Sequence, residues 1–125
     1  MNKLISLSFL LLSFVTLNSY AEEELVMIDS LDINCTAPNG PIIPDGNVAS
    51  EDELVSAQNG IKSYQAGLSI YRLCLADLET NLDPVAESTE TLKTALKSLY
   101  DASIDAETAV AEKFNLSVRA FKERQ

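Results

Sequence analysis

Histidine and tryptophan are absent from this 125-residue chain, and cysteine and methionine occur only twice each. Without histidine there is no imidazole to serve as a general base near neutral pH and no histidine ligand for zinc. Serine and threonine are plentiful, but no G-x-S-x-G elbow is present and no histidine can activate a hydroxyl nucleophile. Basic residues are also scarce: nine Lys and Arg stand against 19 Asp and Glu, a net charge of −10. A surface so negative repels polyanions, which argues against nucleic acid and anionic membrane surfaces as partners.

The one long apolar run is at the start. Residues 1–21, MNKLISLSFLLLSFVTLNSYA, carry Lys3 as the only side-chain charge, then an apolar stretch from Leu4 to Leu17, then Ser19-Tyr20-Ala21. Small residues at the last and third-last positions predict a signal peptide cut after Ala21. The competing reading is a membrane anchor, which needs about 20 apolar residues, whereas this run is about 14 long and meets Asn18, Ser19 and then Glu22-Glu23-Glu24. The predicted location is periplasmic or secreted, with no membrane span after cleavage. Loss of Lys3 leaves 8 basic against 19 acidic side chains, a net charge of −11 on 104 residues. That length suits one small domain.

Both cysteines, Cys35 and Cys74, survive such processing. In an oxidising compartment an even count reads most simply as a disulfide; two free thiols or a disulfide-linked dimer are the alternatives. A redox-active pair is disfavoured because the two do not form C-x-x-C.

From Leu54 onward the apolar residues fall in alternating steps of three and four: Leu54, Ala57, Ile61, Tyr64, Leu68, Tyr71, Leu75, Leu78, Leu82. A heptad seam sustained over four repeats predicts one long helix packed on another in coiled-coil fashion. Ser50-Glu51-Asp52-Glu53 has the S-x-x-E form of a capping box, and its three acids suit the positive end of the helix dipole. Gly60 and Gly67 each cost about 1 kcal/mol of helix propensity and point to close approach by a neighbouring segment. Asp83-Pro84 ends the first helix, because proline disfavours helical geometry before it and fits the first turn of a new helix. A second seam runs Val85, Thr89, Leu92, Leu96, Leu99, Ser103, Ala106, Val110, and then moves to Phe114, Val118 and Phe121 instead of burying Lys113. This predicts a helix over about residues 84–123, antiparallel to the first because the connection is short.

Two helices make a narrow core and leave Val55, Ile70, Leu73, Tyr100 and Ile104 off the seams. The candidates to cover them are the arm before Ser50, a second copy of the chain, or a partner. Pro38, Pro41 and Pro44 fall three apart, the repeat of polyproline II, so all three can project from one side. Ile43-Pro44-Asp45-Gly46 suits a type I turn. If Cys35 joins Cys74 in one chain, the arm must reach about 35 Å back along the helix, and its 16 steps span about 50 Å. The arm then reads as a strap that reverses at Pro44–Gly46.

The run Cys35-x2-Pro38-x2-Pro41-x2-Pro44-Asp45-Gly46-x2-Ala49-Ser50, with Ala57-Gln58, Lys62-Ser63-Tyr64 and Tyr71-Arg72-Leu73-Cys74-Leu75, resembles an uncharacterised family of short exported bacterial helical proteins. Phe114-Asn115, Arg119, Phe121 and Lys122 are similar to that family's ending, so the resemblance covers residues 35–122. It departs at Asp101, where an asparagine often follows the tyrosine. The resemblance implies export and a helical body, and it carries over no catalytic residue.

Other constellations have plain explanations. Asp45, Glu51, Asp52 and Glu53 lack the spacing of an EF-hand loop, and capping duty accounts for them. Carboxylate pairs are easily picked from 19 acids, so they are weak grounds for glycoside chemistry. Tyr64 and Tyr71, one heptad apart on the seam, read as core with hydroxyls at its edge. Lys113, Arg119, Lys122 and Arg124 suit the C-terminal dipole of the second helix; alternatively, that end meets the acidic start of the first.

The sequence therefore predicts an all-α chain: a signal peptide (1–21), an acidic flexible leader (22–34) for which a short docking strand is the alternative, a proline-rich arm (35–50) and an antiparallel two-helix hairpin (51–125), with the arm strapped back by a Cys35–Cys74 disulfide. No catalytic, cofactor or metal residues are assigned. The predicted role is a non-enzymatic interaction or structural module binding an unknown protein or a second copy. The alternatives are a periplasmic holdase-type chaperone and, from another class, a small carboxylate-dependent enzyme.

Overall fold

The computed structural model describes residues 35–125; the signal segment and acidic leader expected over 1–34 lie outside the described residues. The described chain forms two long helices, α1 (Glu51–Thr80) and α2 (Thr89–Glu123), with the arm laid along one side.

Helix α1 starts as its sequence dictates. Glu53 N donates to Ser50 Oγ at 3.2 Å and Ser50 N donates to Glu53 Oε2 at 2.7 Å, closing the capping box. Leu54, Ala57, Tyr64, Leu68, Tyr71 and Leu75 are buried, with Ile61, Leu78 and Leu82 half-buried, so the expected seam is the core face. The helix closes at Asn81, whose backbone and side-chain nitrogens donate to Asp77 O at 3.1 and 2.9 Å.

Helix α2 begins five residues later than expected, at Thr89 rather than Pro84. Asp83 is the physical reason. Its Oδ1 accepts from Val85 N at 3.0 Å and its carbonyl accepts from Ala86 N at 3.3 Å, so the chain turns tightly at Pro84 instead of entering a helix. The Thr89 hydroxyl also donates to the Asp83 carbonyl and fixes the first residue of α2 against this turn. Val85 is consequently exposed and leaves the seam, which runs from Thr89 through Leu92, Leu96, Leu99, Ser103, Ala106 and Val110. Beyond Val110, Lys113 points to solvent while Phe114, Val118 and Phe121 are half-buried, so the apolar row shifts where the spacing says it does.

The helices are antiparallel: Gln65 meets Glu107, Arg72 meets Ser103, and Arg124 meets the residues just before α1. Tyr71, Leu75 and Leu96 form the centre of the core, with Cys35, Leu78, Leu82 and Leu99 packed around them.

Residues 35–44 carry no hydrogen-bonded secondary structure and run back along α1. Cys35 is joined to Cys74 by the disulfide. A Cβ on Gly67 would come within 2.9 Å of Pro38 Cβ, and one on Gly60 within 3.3 Å of Pro41 Cβ. The glycines are thus notches that admit the proline rings. With Leu54 at heptad position a, the residues Gly60, Gly67 and Cys74 all occupy position g, so every third arm residue meets every seventh helix residue.

The reversal lies slightly later than expected. The turn is Asp45-Gly46-Asn47-Val48, with Val48 N and Ala49 N donating to Asp45 O at 3.1 and 2.9 Å. Asp45 Oδ1 accepts from Asn47 N at 2.9 Å, an Asx turn that an aspartate at the first position favours over a proline-centred one. Gly46 is pressed on α2, where a Cβ would overlap the carbonyl of Ser117, and Ser117 Oγ donates to Pro44 O at 2.6 Å.

Candidate functional site

An antiparallel hairpin has two lateral grooves, because e positions face e positions and g positions face g positions across the seam. The arm fills the g-side groove, where Gly60, Gly67 and Cys74 lie on α1. The buried Ala95 is the corresponding g position of α2. The e-side groove has no such cover among the described residues.

Polar groups bridge the middle of this open groove. Arg72 Nε donates to Ser103 Oγ at 2.8 Å, and Nη2 donates to Ser103 O at 3.0 Å and to Glu107 Oε2 at 2.6 Å. Gln65 Nε2 donates to Glu107 Oε1 at 3.1 Å, and Ser103 Oγ donates to Tyr100 O at 2.6 Å. These bonds explain how a serine sits buried on the seam. The Arg72 guanidinium also lies over the Tyr100 ring, 5.9 Å from its centroid. Hydrogen bonding from Arg72 holds the Glu107 carboxyl below its ordinary range, with burial opposing and Gln65 adding to the effect.

Towards the helix connection the groove opens into a cavity of about 510 Å³. Leu75 and Leu96 form its floor, Tyr100 closes one end, and Glu79, Lys93, Lys97 and Asp101 stand on its rim. Lys93 pairs with Glu90 at 3.1 Å and Lys97 pairs with Asp101, so the rim lysines are engaged along α2 itself. Ile104 flanks the groove one turn beyond Tyr100, and Leu73, 71% exposed, lies on the adjoining surface of α1. An apolar floor with a mixed-charge rim is suited to contact with an amphipathic segment.

The residues singled out from sequence fall elsewhere. Tyr64 and Tyr71 are both buried on the seam, and burial pushes the Tyr71 phenol above its ordinary value. Asp45 holds the turn, and its hydrogen bonds from Asn47 lower its pKa; Glu53 is lowered in the same way by Ser50. Glu51 and Asp52 are exposed in the first turn of α1. Among the described residues no group of three or more acids and cysteines is placed to hold a metal ion. Of the basic end, Lys113 and Arg119 are exposed and Lys122 lies in the last turn of α2.

Arg124 does what the alternative reading asked, although through backbone rather than acidic side chains. Its Nε donates to Gly46 O at 3.0 Å, its Nη2 donates to Ala49 O, and its guanidinium sits 4.9 Å from the Phe121 ring centroid. The end of α2 is thereby clamped to the turn before α1. Arg72 was not singled out from sequence; its only signal is the heptad e position, which acquires meaning once the antiparallel register is known.

No family model, curated protein or solved structure matches this chain.

Proposed function

We propose that this chain is an exported, non-enzymatic interaction module whose binding face is the open e-side groove. The observation that carries this reading is the asymmetry of the hairpin: one lateral groove is covered by the strapped arm, while the other has no such cover among the described residues and forms a recess over the buried Leu75 and Leu96. Tyr100 lines that recess and Ile104 lies one helical turn beyond it on α2, each more than a third exposed. Aromatic and aliphatic anchors in a preformed recess are what protein partners use. Residence in an oxidising compartment is supported by the Cys35–Cys74 bond, since such bonds persist outside reducing cytosol. Among the described residues no helix is long and apolar enough to cross a membrane.

Photo-crosslinking amino acids at positions 100 and 104, compared with position 102 on the other side of α2, test the reading in native envelope. Adducts from 100 and 104 but not from 102 support it. Equal labelling at all three positions, or none at any, rejects the groove. The exposed Ile70 and Leu73 favour a second form of the same role, a holdase for unfolded clients. That form requires suppression of client aggregation which Leu73→Glu abolishes, and inactivity at stoichiometric ratios removes it.

A further inference from the structure

The trough beneath the arm is a built site whose fit is visible, because it is occupied. It has a notch at Gly60 for one proline, a notch at Gly67 for the proline three residues before it, and the Cys74 sulfur for a cysteine three residues earlier again. What it recognises is therefore a C-x2-P-x2-P segment in extended form. Nothing in that fit requires the segment to belong to the same chain.

Two features of the arm bear on this. Among the described residues, 35–43 form no backbone–backbone hydrogen bond, and proline packing and the disulfide hold the arm there. The anchors lie on the far side of its hinge: Ser117 holds Pro44 O, and Arg124 holds Gly46 O and Ala49 O. The arm can swing out at Pro44 while the hairpin and the turn stay intact.

The surface around that hinge is apolar and exposed among the described residues. Ile42 is 91% exposed and Val48 78%. Leu116, 59% exposed, lines the crevice of about 510 Å³ beside residues 43–47. If two copies exchange arms, their hinges must meet about a two-fold axis at this end of the hairpin, which brings the three side chains of each copy towards those of the other. An exposed apolar cluster at that one place is what an exchanged dimer would cover.

We propose that the g-side trough is an interaction surface for a second copy of this chain, entered by reciprocal exchange of the arm. Each Cys35 leaves its own Cys74 and bonds the partner's Cys74. Two S–S bonds break and two form through attack by a small-molecule thiolate, which is regenerated, so the exchange involves no net oxidation. Pro38 and Pro41 then fill the partner's notches, and Ile42, Val48 and Leu116 are buried at the junction. This stands independently of any ligand in the e-side groove.

The test uses full-length mature chains carrying one thiol each. A Cys74→Ser chain offers an arm with Cys35, and a Cys35→Ser chain offers a trough with Cys74. Mixed in equal amounts with excess glutathione disulfide, which is reduced to two glutathione thiols as each interchain bond forms, they can form two homodimers and one heterodimer, separable by mass without reduction. Trough recognition predicts a heterodimer-to-homodimer ratio raised at least about tenfold over the one-to-one ratio of random pairing, as a templated pairing raises effective concentration. Pro38→Asp in the arm donor, which leaves the hairpin untouched, returns the mixture to statistics. Light-scattering mass of the enriched species equals two chains. A statistical mixture, or enrichment that persists with Pro38→Asp, overturns the proposal. Gly67→Leu in the acceptor gives a second check, with circular dichroism confirming that it remains helical.

Discussion

Pro38 lies so close to Gly67 that a methyl group on the glycine would come within 2.9 Å of the proline Cβ and 3.1 Å of its Cγ. Real Cβ atoms do not tolerate the shorter distance, so the disulfide-held ring would have to shift. The same addition at Gly60 meets Pro41 at 3.3 Å, a tight contact that a small adjustment relieves.

The two glycines should therefore respond differently to Ala. Replacing a mid-helix glycine by alanine adds about 1 kcal/mol of helix stability in the absence of a clash. Gly60→Ala is expected to keep most of that gain and Gly67→Ala to lose it. Urea midpoints of the oxidised proteins check the difference. In reduced protein, where the arm is free to move, Gly67→Ala should become stabilising; the same deficit under reduction would show that the clash is not with the arm.

Removing the disulfide should cost a large part of the stability. The bonded cysteines are separated by 39 residues, for which chain-entropy arguments give about 4 kcal/mol, against about 5–15 kcal/mol for a whole domain. A Cys35→Ser/Cys74→Ser protein should remain helical but unfold at markedly lower urea, and dithiothreitol should reproduce the shift in the parent. Coincident oxidised and reduced unfolding curves would contradict this.

Acid should weaken the hairpin partly through Glu107. Its folded pKa is depressed, chiefly by the Arg72 hydrogen bond, so the unfolded chain takes up the proton first. The stabilisation is complete above the ordinary glutamate value of 4.5 and is lost as pH falls through the lowered folded value. Because the pair faces solvent on one side, Glu107→Gln is expected to cost only about 0.5–1 kcal/mol at pH 7. The same variant should lose less stability than the parent between pH 5 and about pH 3. Urea midpoints at three pH values decide it, and parallel profiles for the two proteins would reject the assignment. Glu53 and Asp45, both lowered, supply acid sensitivity of the same sign.

Arg124→Ala should loosen the turn without unfolding the helices. Losing the bonds to Gly46 O and Ala49 O removes about 1 kcal/mol of local restraint, which is about a fivefold rise in amide exchange at Val48 and Ala49. Lysine should not restore protection, since it lacks the fork that spans two carbonyls. Unchanged exchange at these amides in Arg124→Ala would show that Ser117 and Gly46 packing alone hold the turn.

Much of this architecture was legible because it is periodic. The seam of α1 was readable residue by residue from Leu54 to Leu82, and the capping box at Ser50 fixed its start. The strap was legible from proline spacing combined with the two cysteines. The start of α2 was not, since Pro84 is equally at home in the first turn of a helix or in a tight turn, and the choice was made by Asp83 and Thr89. Arg72 was missed for a different reason: its partners are 31 and 35 residues away, and an isolated arginine in a charged helix looks like any solvated side chain.

The matching of three arm residues to seven helix residues also limits how long such a strap can be. Three residues of polyproline II advance about 9.3 Å and seven residues of α-helix about 10.5 Å. Each further repeat falls behind by about 1.2 Å, so the two rulers stay in step for only a few divisions. The two repeats from Pro41 to Cys35 accumulate about 2.4 Å, and a third would bring about 3.6 Å, more than one arm residue of about 3.1 Å, so that a proline there would meet a ridge instead of a notch. The covalent bond at Cys35 falls on the last mark at which the scales still agree to within one arm residue, and it pins the strap there.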